Sequence, residues 1–239
     1  MHARFFVDKR SFLGNKILIT DKELIHQITK VLRLKIGQQI ILLDNSGFEY
    51  LVNLEKIGKQ IEGDVLEKKN NENEPIKKII ICQSLLRGDK LEMVFKFCTN
   101  LGVNGFRPFI SQRSIIKEIN PNRIQRCQKI IKESAEQSGR AILPPLNKLM
   151  SFEEIIDFLK DQQGLKLIAW EEEKEKKLAD FKKLIKENKE IYLMIGPAGG
   201  FSAAEVAQAK AHGFFSFSLG PLIFRSEIAG LITSAIILN

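Results

Sequence analysis

The sequence predicts an α/β fold in which a mainly parallel sheet follows a small β-rich, barrel-like domain. Three observations carry this. Short β-branched and aromatic runs separated by turn signals crowd the first 70 residues, and a polar run ending in proline follows at residues 68–75. From residue 78 onward, apolar runs without period-2 alternation take turns with amphipathic helical stretches. Strands covered on both faces read as continuous apolar runs, and strand–helix alternation is the pattern of a parallel sheet. The 239 residues, 44% hydrophobic and 28% charged, suffice for one large domain or two modest ones, each with its own core. This composition excludes disordered and fibrous classes.

In the first domain (residues 1–70), strands are expected at 4–7, 16–20, 38–44, 48–57 and 60–67, with turns at 45–47 and 58–59. Asp21 can cap a helix running to about Leu34, with Leu24, Ile25, Ile28, Val31 and Leu32 on its inner face. In the second domain (residues 76–239), strands are expected at 78–82, 106–110, 165–170, 191–195 and 214–219. Helices are expected at 89–101, 121–138, 152–159, 178–188, 203–212 and 226–238. Pro121 sits in the first turn of the second of these, and Gly139 lies just past its end, the usual asymmetry of helix termini.

Charge is unevenly placed. The net charge is +8, and residues 75–150 hold 14 basic against 5 acidic side chains while the flanking segments are near balance. A basic segment of this kind is the footprint expected for phosphate contacts, with a merely solvated surface as the alternative. Cys82, Cys98 and Cys127 are widely spaced and each falls among apolar residues, which points to free buried thiols in a reducing, cytoplasmic setting. The apolar runs at both ends are too short for a signal peptide or a membrane span. The three histidines are far apart without ligand-spaced partners, so no metal site is expected.

Two glycine-bearing strand ends are the candidate site. The strand at 191–195 runs into Gly196-Pro197-Ala198-Gly199-Gly200-Phe201-Ser202, and the next strand runs into Leu219-Gly220-Pro221-Leu222-Ile223-Phe224-Arg225-Ser226-Glu227. Loops at the carboxyl ends of parallel strands are where α/β sheets bind ligands. The first loop is neither a P-loop nor a GxGxxG turn, and taken alone it reads equally as a structural turn. Two adjacent backbone-lined loops with apolar walls suit a planar heterocycle. Arg225 and Glu227 follow directly, as site residues or as ordinary helix-start charges.

With these residues in view, the chain resembles the bacterial 16S ribosomal RNA uridine N3-methyltransferases, a branch of the SPOUT superfamily. The resemblance rests on Arg4-Phe5-Phe6-Val7, Val31-Leu32-Arg33-Leu34-Lys35, Leu86-Arg87-Gly88-Asp89-Lys90, Leu101-Gly102-Val103, Gln112-Arg113-Ser114, Ala135-Glu136-Gln137-Ser138-Gly139-Arg140, and the two glycine loops. It implies a PUA-like RNA-binding barrel, a C-terminal α/β trefoil-knot domain, a homodimer, and S-adenosyl-L-methionine as cofactor. The implied cofactor contacts are Ala169 and Trp170, then Ile195, Gly196, Gly199 and Gly200, then Leu219, Gly220 and Phe224. The implied product is N3-methyluridine in small-subunit RNA. The chain departs from the family pattern at Ala198, Leu222 and Ile228, where the family has Glu, Arg and Thr.

N3 of uracil carries a proton, so the reaction needs alignment, assistance to deprotonation, and stabilisation of charge developing on the base oxygens. Arg225 suits charge stabilisation, and Glu227 is the expected base or the orienter of Arg225. Because N3 lies on the pairing edge, the target base must be unpaired or flipped out. Its expected pocket lies near Arg113, Gln137, Ser138 and Arg140, with Arg4, Arg33, Lys90 and Lys96 as further RNA contacts. Two other readings remain: a ribose 2′-O-methyltransferase on the same fold, and a non-catalytic ribosome-assembly factor that binds RNA.

Overall fold

The computed structural model describes residues 2–239. The described chain divides into two compact units, one formed by residues 2–74 with 135–143, the other by residues 75–134 with 144–239.

The first unit is built on a six-stranded sheet. Its strands are β1 (Arg4–Phe6), β2 (Phe12–Leu13), β3 (Lys16–Ile19), β4 (Gln39–Leu43), β5 (Phe48–Ile57) and β6 (Ile61–Asn70), in the order β1-β4-β5-β6-β3-β2. Only β1 and β4 pair in parallel; the other ladders are antiparallel. Alternate residues Ile40, Leu42, Val52, Leu54, Ile17 and Ile19 point into one core with Phe5, Leu24, Ile28 and Ile61. Gly63 on β6 lies so close to β5 that a Cβ would sit 2.4 Å from the Asn53 carbonyl oxygen.

Two segments differ from their sequence expectation. The helix α1 (Lys22–His26), capped by Asp21 as expected, gives way to a wider-wound turn at Gln27–Val31, and Arg33 then takes a left-handed φ of 53°. The exposed positions of Val31 and Leu32 show that the apolar pattern continues past the buried face. The polar run from residue 68 is in strand up to Asn70, because β6 pairs with β5 along its whole length.

The second unit carries a fully parallel six-stranded sheet. It comprises β7 (Lys78–Ser84), β8 (Gly105–Ile110), β9 (Met150–Ser151), β10 (Leu165–Ala169), β11 (Glu190–Ile195) and β12 (Phe215–Phe217), in the order β12-β10-β11-β7-β8-β9. The helices are α2 (Lys90–Leu101), α3 (Pro121–Ser138), α4 (Phe152–Lys160), α5 (Lys182–Glu187), α6 (Ala203–Ala211) and α7 (Ser226–Leu238). α4 and α6 start with complete capping boxes, Ser151 with Glu154 and Ser202 with Glu205. The helix expected from residue 178 begins as a tight 3₁₀ turn, and the two-residue strand β9 had no signal of its own. One core cluster gathers Phe109, Phe152 and Phe201 beneath α4 and α6.

Since all six strands run the same way, their carboxyl ends share one edge, and β12, β10 and β11 are consecutive neighbours there. The loops after these three strands therefore meet, although they are far apart in sequence. The three cysteines are free and buried; burial pushes the Cys82 and Cys98 thiols up to about 12. Among the described residues, no helix is long and apolar enough to cross a membrane, and no group of three His, Cys, Asp or Glu is gathered for a metal ion.

Candidate active site

The loops after β10, β11 and β12 enclose a cavity of about 340 Å³, within the range of small-ligand sites. Ala169, Trp170, Ile195, Gly196, Gly200, Leu219, Gly220 and Phe224, all nominated from the sequence, line it together with Arg225 and Glu227. Gly199 does not line it; its carbonyl accepts a hydrogen bond from Arg113 Nη1 at 3.1 Å on the other side of the loop. Two further lining residues had no local signal for this role: Glu171 and Lys90.

The wall is held by buried polar groups. Ser226, at the start of α7, donates from Oγ to the Gly196 carbonyl at 2.5 Å, and Gln83 Nε2 at the end of β7 donates to Ser226 Oγ at 3.1 Å. The loop after β11 is thus fixed to the helix that carries Glu227. Gly200 has a φ of 68°, and a Cβ there would lie 1.7 Å from Glu171 Oε1, so the carboxylate rests directly over the glycine. Gln83 Oε1 and Trp170 Nε1 are buried and find no protein partner among the described residues.

Glu227 is nearly buried and its Oε1 lies 2.9 Å from Lys90 Nζ. Burial acts to raise its pKa, but the hydrogen bond and charge of Lys90, its own backbone N–H and the charge of Arg225 outweigh that. The carboxyl stays below its usual range, which makes it a weak base and a firm anion. Arg225 is exposed at the cavity and precedes α7 in an extended conformation.

The basic residues nominated for RNA are distributed differently. In the first unit, Arg4 donates to both carboxylate oxygens of Glu49 (3.1 and 3.3 Å), and Arg140 is buried against Glu74 at 2.8 Å. A Cβ on Gly139 would lie 4.0 Å from the Arg4 guanidinium, so Arg4 and the 137–140 segment are close neighbours. Gln137 is exposed, Ser138 half-buried and Arg33 exposed. In the second unit, Arg113 and Lys96 are exposed and Lys90 belongs to the cavity. Part of the basic excess is spent internally. Arg123 grips Glu92 through Nε and Nη2 (3.1 and 2.9 Å), and Arg107 lies 4.2 Å from the Phe158 ring centre.

A family model described as "RNA methyltransferase domain" matches residues 72–238. The chain belongs to the RNA methyltransferase family. A second model, "RNA methyltransferase PUA domain", matches residues 19–64, in the first unit. This RNA methyltransferase is 31% identical to the ribosomal RNA small subunit methyltransferase E of Bacillus subtilis over 220 residues, 89% of this chain and 86% of the relative. It is 28% identical to the protein of the same name from Synechocystis over 235 residues, 98% of this chain and 77% of the relative. The crystal structure of a ribosomal RNA small subunit methyltransferase E from Neisseria gonorrhoeae bound to S-adenosyl methionine superposes with a TM-score of 0.89. It is 28% identical and covers 99% of this chain and 97% of that one. The fold of the family, a PUA-like first domain ahead of a parallel α/β domain, is the fold found here.

Proposed function

We propose that the protein is an S-adenosylmethionine-dependent methyltransferase acting on N3 of a uridine in 16S ribosomal RNA. The observation that carries the reading is the cavity at the joined carboxyl ends of β10, β11 and β12, together with near full-length similarity to small-subunit RNA methyltransferases.

The residues present fit the cofactor. The cavity volume suits a nucleoside-sized ligand, its walls include the bends at Ile195–Gly196 and Leu219–Gly220, and Phe201 and Phe224 supply apolar surface. Trp170 lines the cavity, and its buried Nε1 has no protein partner among the described residues, which supports a ligand acceptor there. When bound, S-adenosylmethionine supplies an electrophilic methyl group and leaves as a neutral thioether.

The chain's own residues then have the acceptor to manage. Uracil N3 is a nucleophile only once its proton is gone, and the resulting charge spreads over O2 and O4. Arg225, exposed at the cavity mouth, offers a cation for that charge. Glu227, held as an anion, serves to orient the cations around it and not to take the proton. The proton leaves to solvent or to another acceptor. Exposed Arg113, Lys96 and Arg33 remain available to RNA phosphates, and Gln137 to a flipped base. Met93 and Phe97, one turn apart on α2, and Ile236 on α7 are exposed apolar side chains that support a homodimer. A cytoplasmic setting follows from the ribosomal substrate.

The test is methylation of small subunits lacking the modification, read by mass spectrometry of the digested nucleosides. N3-methyluridine is expected, and a ribose-methylated nucleoside would replace this reading with a 2′-O activity. Arg225→Ala should abolish transfer while calorimetry shows cofactor binding nearly intact. Normal transfer by that variant would remove Arg225 from the mechanism.

A further inference from the structure

Lys90 is the first residue of α2, a 12-residue helix, and Glu227 is the second residue of α7. A lysine at a helix start opposes the helix dipole, whereas a carboxylate there is favoured. The two helices pack against each other, and their first turns both reach the cavity at the carboxyl edge of the sheet. Lys90 turns inward across that gap, placing Nζ 2.9 Å from Glu227 Oε1. Its side chain is 39% exposed and that of Glu227 8%. The ammonium is therefore reachable from the cavity while the carboxylate behind it is almost closed off.

We propose that Lys90 is a positioning residue of the methyl-transfer site, pairing with the Glu227 carboxylate two residues from Arg225, and is not a contact to the RNA backbone. The inference rests on the methyltransferase reading above. The charged groups lining the cavity with Glu227 are Lys90 from α2, Arg225 from the approach to α7, and Glu171 from the loop after β10. The strands under α7 keep their charges at the opposite end, Lys78 opening β7 and Glu190 opening β11. Cys82 on β7 is a buried neutral thiol. Lys90 is thus the one cation in hydrogen-bond contact with Glu227 among the described residues. Without it, burial favours a protonated, neutral Glu227. A neutral group would no longer balance the charge of neighbouring Arg225, the cation that meets the charge developing on uracil.

The experiment uses the full-length protein with Lys90→Met and Lys90→Arg. Carbon-13 NMR of labelled glutamate carboxyls, with the Glu227 signal assigned by its loss in Glu227→Gln, reads the titration directly and needs no activity. The Glu227 signal should titrate at higher pH in Lys90→Met than in the parent, and Lys90→Arg should restore it. The methylation rate of Lys90→Met should fall as pH drops through a range in which the parent rate is still level. In Glu227→Gln, adding Lys90→Met should cost nothing further. RNA affinity should fall with salt at the same slope in parent and Lys90→Met. A loss of one phosphate contact would lower that slope by about 0.7–0.9 and overturn the proposal. An unmoved Glu227 titration would overturn it equally. A parent protein that transfers no methyl group overturns the methyltransferase reading, and the NMR result still decides whether Lys90 pairs with Glu227.

Discussion

Arg113 donates from Nη1 to the Gly199 carbonyl at 3.1 Å, fastening the loop after β8 to the loop after β11. Two more ties reinforce it. Glu205 of α6 accepts from the Gln112 N–H at 2.8 Å as well as from the Ser202 N–H at 2.8 Å. Ser114 Oγ lies 2.7 Å from Ser84 Oγ in the core beneath. The segment expected to touch RNA is therefore braced on the segment that lines the cavity.

Removing the brace should be felt on both sides. Glu205→Ala strips the partner from two backbone N–H groups and breaks the capping box of α6. A cost of about 1–3 kcal/mol is expected, measured by urea unfolding. Arg113→Ala leaves the core intact but should weaken S-adenosylmethionine binding by about two- to tenfold, the worth of one hydrogen bond, measured by calorimetric titration. An unchanged dissociation constant would mean that the tie does not shape the cavity.

Gly200→Ala should be damaging for two separable reasons. The residue sits at φ 68°, and its new Cβ would meet the Glu171 carboxylate. Gly213, at φ 83° with open space around it, provides the control. Both alanine variants should lose about 1–2 kcal/mol to left-handed backbone strain. Only Gly200→Ala should also lose cofactor affinity, because only there is a cavity wall displaced. Equal affinity in the two variants would show that the Glu171–Gly200 approach does not matter for binding.

Glu173 gives the fold a pH dependence of known sign. Burial tends to raise its carboxyl, but Ser216 Oγ, the Glu175 N–H and Lys210 hold it down at about 2. A folded value below the unfolded one means stabilisation that is complete above about pH 4.5 and lost as pH falls toward 2. The stability gap between the parent and Glu173→Gln, followed by urea unfolding, should therefore shrink steadily between pH 5 and pH 2. A gap that stays constant over that range would contradict the assignment.

Local sequence determined the type of most elements. Apolar runs such as Ile79-Ile80-Ile81-Cys82 and Ile191-Tyr192-Leu193-Met194-Ile195 specify buried strands, and Ser151 and Ser202, each with a glutamate three residues on, specify helix starts. The glycine loops also stood out, because strand–glycine–helix order places backbone at a sheet edge whatever the neighbours are. What could not be read were features that depend on which elements meet. The break of the first helix after His26, the two-residue β9 and the strand content of residues 68–70 are set by pairing and packing partners elsewhere in the chain.

The same division runs through the site. The residues alone determined that two backbone-lined bends precede Arg225 and Glu227, since that is a matter of short-range order. Only the tertiary structure decided that Lys90 belongs with Glu227, that Arg140 is occupied by Glu74, and that Glu171 covers Gly200. The reason is physical. A charge in a sequence carries no record of its partner, and a parallel sheet brings its carboxyl ends together through crossovers whose length hides the contact.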